Sequence, residues 1–471
     1  MTDDLWKLSA LDMRKGLDAK DFSAVEVMTS VIGRTHTTNP KLNAVVFDYS
    51  DKAIAQAERA DEALARGEHW GPLHGIPVTI KVNVDYKGTP NTNGLPALAN
   101  NIAPGNSPVV QNLLNAGAII FGKTNTPELS MRGTTDNPLH GRTKNPWDEQ
   151  ASPGGSSGGA SAACAAGMGP IHHGNDIAGS LRIPASACGL ATVKSGLGRV
   201  PAFNPSAGAE RGLLSQLMSV QGAICREVKD VRFATKVMAN RDVRDPWWAP
   251  VPFDGPKLPG PIRVAVTKES YGYPIHPDIA AGIDRAADYL RNAGYQVEEV
   301  KTPSIKPAVD AWLDAVTLEL KETLDPLAQQ HGSQTIRDIF DAYYRFGKMV
   351  DYKGYMQAVA NRSAMVRAWS TFLEEWPLVL SPFLMRPMYN YDHDETFDGA
   401  KDLFDAMMYS YSINYMGLPA GNIPIGLVEG RPCGVQIIGQ RYREDMILDA
   451  MQVVEDQVGV MAHQLWKRMD G

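Results

Sequence analysis

The chain has 471 residues, 44% of them hydrophobic and 21% charged, with a formal net charge of −7. That balance suits a soluble globular protein with a large core, far from the disordered regime. It argues against a nucleic-acid surface, since no basic stretch is interleaved with aromatics. No run is apolar enough to span a bilayer, and the acidic start MTDDLWKLSALD lacks the basic and apolar regions of a secretory signal.

Amphipathic spacing predicts two helices near the N-terminus, at 8–17 and 21–32. A third follows at 52–66, with Gly67 as its stop signal. IPVTIKVNV (76–84) alternates β-branched residues, the pattern of a strand with one buried face. A helix at 109–117 leading into a strand at 118–125 reads as half of a βα unit. Small residues at 160–168 predict a helix that neighbouring backbones can approach closely. GLGRVP (196–201) is a turn into an extended segment, and the stretches 202–216 and 242–261 are loops rich in Pro, Gly and Trp. Further strands are expected at 262–267, 295–300, 378–382 and 433–439, with helices at 277–293, 307–327, 355–374 and 443–457. There is no internal repeat. The alternation points to an α/β fold: a mixed, mostly parallel twisted central sheet covered by helices on both faces. No linker interrupts the chain, so a single domain over 1–471 is expected.

Cys164, Cys188, Cys225 and Cys433 are widely spaced and form no CxxC pair. They read as buried thiols in a reducing, cytoplasmic setting, not as a zinc site or disulfides. Three stretches could carry chemistry. SPGGSSGG (152–159), with Ser156 and Ser157, has the composition of a flexible linker, yet runs straight into the small-residue helix. In NDIAGSLRIP (175–184), Ser180 follows a small-residue turn. Backbone N–H groups converge at such turns and suit the charge that acyl transfer builds on a carbonyl oxygen. Lys81 is a lone cation in an apolar strand, where burial favours the neutral amine, a competent base. A Ser–Lys arrangement is one alternative to a histidine triad. Against these stand plainer readings. Strand lysines more often snorkel to the surface, and a Gly/Ser run is as readily a loop. His172 and His173 read as strand or pocket-wall residues, with no spacing that supports a metal. DHDE (392–395) reads as a solvated loop, with a calcium site as the alternative, and MRPM (385–388) as packing. Trp247, Trp248 and DAYYRFG (341–347) read as packing, with the wall of an apolar pocket as the alternative.

Taken together, PGGSSGGASAACAAGMGPIHHGNDIAGSLRIPASACG (153–189) resembles the defining stretch of the amidase signature family. GPLHGIPVTIKVN (71–83) is similar to that family's lysine strand, DNPLHGRTKNPWD (136–148) to the segment before its serine run, and residues 416–448 to its closing strand–helix unit. The similarity extends over nearly the whole chain and is weakest at 202–400. It implies a helical N-terminal region (1–70), a catalytic core (71–201), a variable substrate-pocket region (202–400) and a closing unit (401–471). It further implies a cofactor-free, metal-free serine amidohydrolase that cleaves the C–N bond of small amides through an acyl-enzyme. Ser180 falls at the nucleophile position, Ser156 at the bridging position after a cis Gly155–Ser156 bond, and Lys81 at the base. The backbone N–H groups of Ile177, Ala178, Gly179 and Ser180 fall at the oxyanion hole, where losing one donor costs about 100-fold or more in rate. Gly155, Ser157, Asp176 and Arg182 take supporting places, and Met131 falls at the pocket rim. The partners implied are a small-molecule amide and a second copy in a homodimer, with no nucleic acid or membrane. Three positions depart from the pattern: Val82 where an acid is usual, Ala178 for a usual glycine, and no proline after Lys194. The alternatives are a glutamine-hydrolysing subunit of a tRNA-dependent amidotransferase, an ester or carbamate hydrolase using the same site, and a non-catalytic binding protein.

Overall fold

Ser9 and Ser23 divide the N-terminal segment into two helices. Each side chain accepts the backbone N–H three residues ahead, at Asp12 and Glu26, and Glu26 completes a capping box with Ser23. The helices so started are α1 (Ala10–Ala19) and α2 (Ala24–Leu42) in the computed structural model, which describes residues 2–469. α2 continues well past the predicted stop at Ile32, and ends with Asn43 in the left-handed region. The first half of the chain continues with β1 (Val45–Asp48), α3 (Ser50–Ala65), β2 (Pro77–Lys81), α4 (Pro108–Asn115), β3 (Ile119–Thr124), α5 (Gly158–Ala165), β4 (Ile171–Asp176), α6 (Arg182–Cys188) and β5 (Ala191–Lys194). Next come α7 (Leu213–Met218), β6 (Val220–Cys225), α8 (Val228–Met238), β7 (Arg263–Val266), α9 (Pro277–Asn292), β8 (Gln296–Glu299), α10 (Lys306–Ala311), α11 (Thr317–Thr323) and α12 (Asp325–His331). The chain closes with α13 (Gln334–Phe346), α14 (Tyr352–Glu375), β9 (Leu378–Pro382), α15 (Phe397–Ala406), α16 (Met408–Met416), β10 (Ala420–Val428), β11 (Arg431–Gly439), α17 (Glu444–Val458) and α18 (Met461–Met469).

One sheet takes these strands in the order β1-β3-β2-β4-β6-β5-β10-β11-β9-β7-β8. It is mixed: β3-β2-β4 and β9-β7-β8 are parallel triplets, while the strands between β4 and β9 pair antiparallel, as β1 does with β3. Two apolar clusters cover it. The first joins the strands to α1–α4, α8, α9 and α17, and the second to α5–α7 and α10–α16. Alternate residues divide between them. Ala265 faces the second cluster and its neighbours Val264 and Val266 the first, and Val379 is likewise opposed to Leu378 and Leu380. Strand alternation therefore places the clusters on opposite faces.

Several elements differ from the sequence reading. β2 stops at Lys81 and not at 84, because the Val84 N–H turns back onto the Lys81 carbonyl at 3.2 Å. Beyond the reading of His172 and His173 as strand or pocket-wall residues, β4 and β6 have no counterpart among the predicted elements; both pair on two sides inside the sheet and are buried on both faces, which removes any alternation. α7 lies across the end of a stretch expected as loop. The predicted 307–327 helix carries a π-helical turn at Trp312–Val316, resumes as α11 at Thr317, and gives way to α12 at Asp325–Pro326.

Candidate active site

β2 carries Lys81 to its end between β3 and β4, and Lys81 is fully buried there. Its Nζ lies 2.7 Å from Ser156 Oγ and 2.9 Å from Asn175 Oδ1. Among the described residues it makes no ion pair. Burial pushes its pKa well below the ordinary lysine value, against the opposing charge of Asp176. The side chain therefore does not snorkel. Val82, the departure beside it, is buried and bonds the Thr124 carbonyl through its N–H at 3.0 Å, leaving Lys81 in place.

Ser156 follows a cis peptide bond from Gly155. Its carbonyl accepts Thr126 Oγ1 at 2.9 Å. A Cβ on Gly155 would lie 2.3 Å from the Arg132 carbonyl oxygen and 2.7 Å from that of Thr134, so only glycine fits. The segment pressing on Gly155 is itself held. Arg132 pairs with Asp394 at 2.7 Å and Glu395 at 3.1 Å, and the Gly133 N–H reaches Asp394 at 3.3 Å. This corrects the reading of 392–395 as solvated loop at Asp394, while Asp392 and Glu395 are exposed: the Asp394 side chain is 3% exposed and the Arg132 side chain 4%, and a buried guanidinium requires a counter-charge. Ser157 opens α5 and its Oγ donates to the Asn175 carbonyl at 3.4 Å, tying that helix to β4.

The turn after β4 is organised by Asp176. Its carboxylate accepts the N–H groups of Gly179, Leu181 and Arg182 at 2.7, 3.1 and 3.4 Å, and the Arg182 guanidinium at 3.0 and 3.1 Å. Burial alone would raise its pKa, but Arg182 and these bonds hold it down at about 2. Arg182 also reaches Gln436 of β11 at 2.6 Å, the Ser410 carbonyl at 3.2 Å, and the Asn414 side chain. Gly179 adopts φ 130°, where a Cβ would meet Ser410 Oγ at 2.3 Å. Its N–H is committed to Asp176, which corrects its expected place among the oxyanion donors. The N–H groups of Ile177, Ala178 and Ser180 bond no acceptor among the described residues. Ala178 has no positive φ, so its methyl group does not disturb the turn, and its carbonyl accepts Ser410 Oγ at 2.9 Å. Ser180 is 9% exposed, and its Oγ makes no hydrogen bond to Ser156 or Lys81. The structure thus joins Lys81 to Ser156 and sets Ser180 on the adjoining turn.

Around these groups the partly exposed residues fall into two kinds. Asn83, Ser130 and Asn175 are polar; Met131, Ile177 and Ala178 are apolar and pack on the second cluster. The Tyr343 hydroxyl of α13 donates to the Met131 carbonyl at 2.9 Å, so the 341–347 stretch reaches the Met131 backbone through a side chain. Trp247 and Trp248 bond elsewhere, to Gln216 and the Ala239 carbonyl. His172 and His173 are buried on β4. Burial lowers their pKa values to about 3 and about 4, and they bond Thr79 at 2.7 Å and Gln221 at 2.9 Å as neutral rings. The sequence reading did not single out Asn83, Asn175 and Ser130. Asn83 stands two residues after Lys81 and Asn175 just before Asp176, spacings that give the only signal. Among the described residues no group of His, Cys, Asp or Glu is arranged to hold a metal ion, and no helix is long and apolar enough to cross a membrane.

The chain matches the family model described as Amidase over residues 26–448. It is 46% identical over 469 residues to an indoleacetamide hydrolase of Bradyrhizobium diazoefficiens, covering 99% of this chain and 89% of that one. It is 30% identical to a glutamyl-tRNA(Gln) amidotransferase subunit of Heliobacterium modesticaldum, covering 97% and 98%. The solved structure of a bacterial aryl acylamidase of the amidase signature family matches with a TM-score of 0.84 at 26% identity, covering 98% of both chains. That of a 6-aminohexanoate cyclic dimer hydrolase in complex with its substrate matches at 0.81 and 26%, covering 97% and 98%. The chain is an amidase, a hydrolase of amide C–N bonds, and belongs to the amidase signature family.

Proposed function

We propose that Lys81, Ser156 and Ser180 act as one proton relay, and that the substrate is the primary amide of an arylacetic acid such as indoleacetamide. The 2.7 Å contact between Lys81 Nζ and Ser156 Oγ, in surroundings that favour the neutral amine, carries the reading. Ser180 Oγ attacks the amide carbon while its proton passes to Ser156 and the Ser156 proton to Lys81. The N–H groups of Ile177, Ala178 and Ser180 receive the oxyanion. Lys81 returns the proton through Ser156 to the leaving nitrogen, the C–N bond breaks, and ammonia departs. Water then cleaves the acyl ester along the same path and releases the acid.

The acyl side of the site supports an aromatic substrate. Met131, Ile177 and Ala178 pack on a cluster in which Tyr343 and Phe404 meet edge to face at 5.0 Å. The relative named for indoleacetamide, at 46% identity, supports the same choice over the amidotransferase relative at 30%. Four free buried cysteines suit a reducing cytoplasm, and we take the enzyme to be a cofactor-free single domain over 1–471. Release of ammonia from indoleacetamide, phenylacetamide and glutamine, of aniline from an anilide, of the amine from a carbamate and of p-nitrophenol from a p-nitrophenyl ester tests the proposal. Indoleacetamide is expected to give the highest kcat/KM. Glutamine turnover exceeding it would overturn the assignment in favour of the amidotransferase reading.

A further inference from the structure

Lys81 Nζ has two partners, and only one of them belongs to the relay. The other, Asn175 Oδ1 at 2.9 Å, is a carboxamide oxygen that can only accept. Its orientation is fixed by a second asparagine. Asn175 Nδ2 donates to Asn83 Oδ1 at 2.9 Å, and Asn83 Nδ2 returns to Asn175 Oδ1 at 3.4 Å. Asn83 is pinned in turn by its side chain on Ser130 Oγ at 3.0 Å and by Asn204 Nδ2 on its carbonyl at 2.9 Å. A neutral amine has two N–H bonds and one lone pair. With one N–H committed to Asn175, rotation about Cε–Nζ is restricted, and the lone pair can be directed at the Ser156 hydroxyl. Once the amine takes the proton, the same oxygen faces an ammonium ion, a favourable ion–dipole contact in a buried site.

We propose that Asn175 is a positioning residue for the base: its side-chain oxygen holds one N–H of Lys81 so that the lone pair meets the Ser156 hydroxyl, and it then stabilises the ammonium. This rests on the Lys81–Ser156–Ser180 relay proposed above. The proton moves from Ser156 Oγ to Lys81 Nζ as the Ser180 proton moves to Ser156, and Asn175 exchanges no atom. The ionisable groups packed around Lys81 set the background. From β4 come Asp176, fixed as a carboxylate by Arg182 of α6, and the neutral His172 and His173. β3 brings Lys123, which bonds the carbonyls of Val84 and Pro90 at 3.3 and 2.7 Å and responds to Asp85. α5 offers only Cys164, buried and protonated.

The test measures kcat and KM for indoleacetamide across pH in the wild type, Asn175→Ala and Asn175→Asp. Labelling of Ser180 by a fluorophosphonate is followed over the same range. Asn175→Ala is expected to lower kcat about 10-fold or more with KM little changed, and to move the acidic limb to lower pH, because the ammonium loses a partner. Asn175→Asp, of the same shape, is expected to move that limb to higher pH by about one unit or more, because a carboxylate favours the ammonium. A merely structural role would not shift the limb in opposite directions. An unmoved limb in a folded Asn175→Asp enzyme overturns the proposal even where Asn175→Ala fails to fold, and so does a loss confined to KM. If wild-type Ser180 is not labelled, the relay itself is wrong; if it is labelled and the limb stays put, only the role of Asn175 is.

Discussion

A lysine sealed from solvent and touching no carboxylate has lost both reasons to keep its proton. Lys81 is in that position, so its pKa lies well below the usual 10.5. The proposed relay requires the unprotonated form; kcat/KM is therefore expected to rise with pH to a plateau, with an apparent pKa well below that of free lysine. A profile flat from weakly acidic to alkaline pH would exclude Lys81 as the base. Lys81→Met and Ser180→Ala are each expected to lower kcat by about 1,000-fold or more, as losses of relay members do. The melting temperature of Lys81→Met should not fall, because a buried amine gives way to an apolar chain of similar volume. Lys81, Ser156 and Ser180, the members of the proposed relay, stand out in the sequence because each is a reactive type inside a distinctive run, and the 2.7 Å contact of Lys81 with Ser156 supports that choice. Asn83 and Asn175 do not stand out, since a carboxamide does not ionise and gains meaning only from what lies beside it. The Gly179 N–H was misassigned for a related reason: spacing marks a turn, but only the fold shows that Asp176 has already taken that donor.

Among elements, the segment from Arg132 to Thr134 has the widest consequences, since it packs directly on Gly155. Asp394→Ala would leave the buried Arg132 guanidinium only its contact with the exposed Glu395, at a cost of up to about 3–5 kcal/mol. The expected result is a marked fall in melting temperature together with a fall in kcat, because the contact on Gly155 loosens. The double variant Arg132→Met/Asp394→Leu should recover much of the melting temperature, which thermal unfolding would show. An acidic tetrapeptide in a sequence looks like solvated surface, and nothing in DHDE announces a partner 262 residues away. β4 and β6 were hidden for the opposite reason. Strands bonded on both sides and buried on both faces lose the period that betrays a half-exposed strand, whereas β2, β7 and β9 kept enough β-branched or apolar character to be read.

At the scale of the whole molecule the layering was legible from the alternation of strands and helices, but the cross-links between layers were not. Glu455 of α17 accepts the N–H of Val228, where α8 begins, at 2.8 Å, and Asp230 of α8 accepts those of Ala10 and Leu11, where α1 begins, at 2.7 and 3.1 Å. Burial raises these carboxyls to about 7 and about 6. A folded-state pKa above the unfolded value means that the folded state prefers the proton, so stability from this source is full below about pH 4 and is lost as pH rises toward 7. Urea unfolding across pH 4–8 should therefore show the wild type losing ground to Glu455→Gln as pH rises. Asp176 behaves oppositely: its pKa is depressed to about 2, so its contribution stands above about pH 4 and is lost as pH falls through 2. The two faces of the sheet differ in one more respect. Met131, Ile177 and Ala178 all pack on the second apolar cluster and none on the first. For anyone evolving this enzyme toward new amides, one layer is chassis and the other is tooling. Randomising apolar positions of α13, α15 and α16 should change which acyl group is accepted, while the layer built from α1–α4, α8, α9 and α17 goes on folding around an untouched lysine strand.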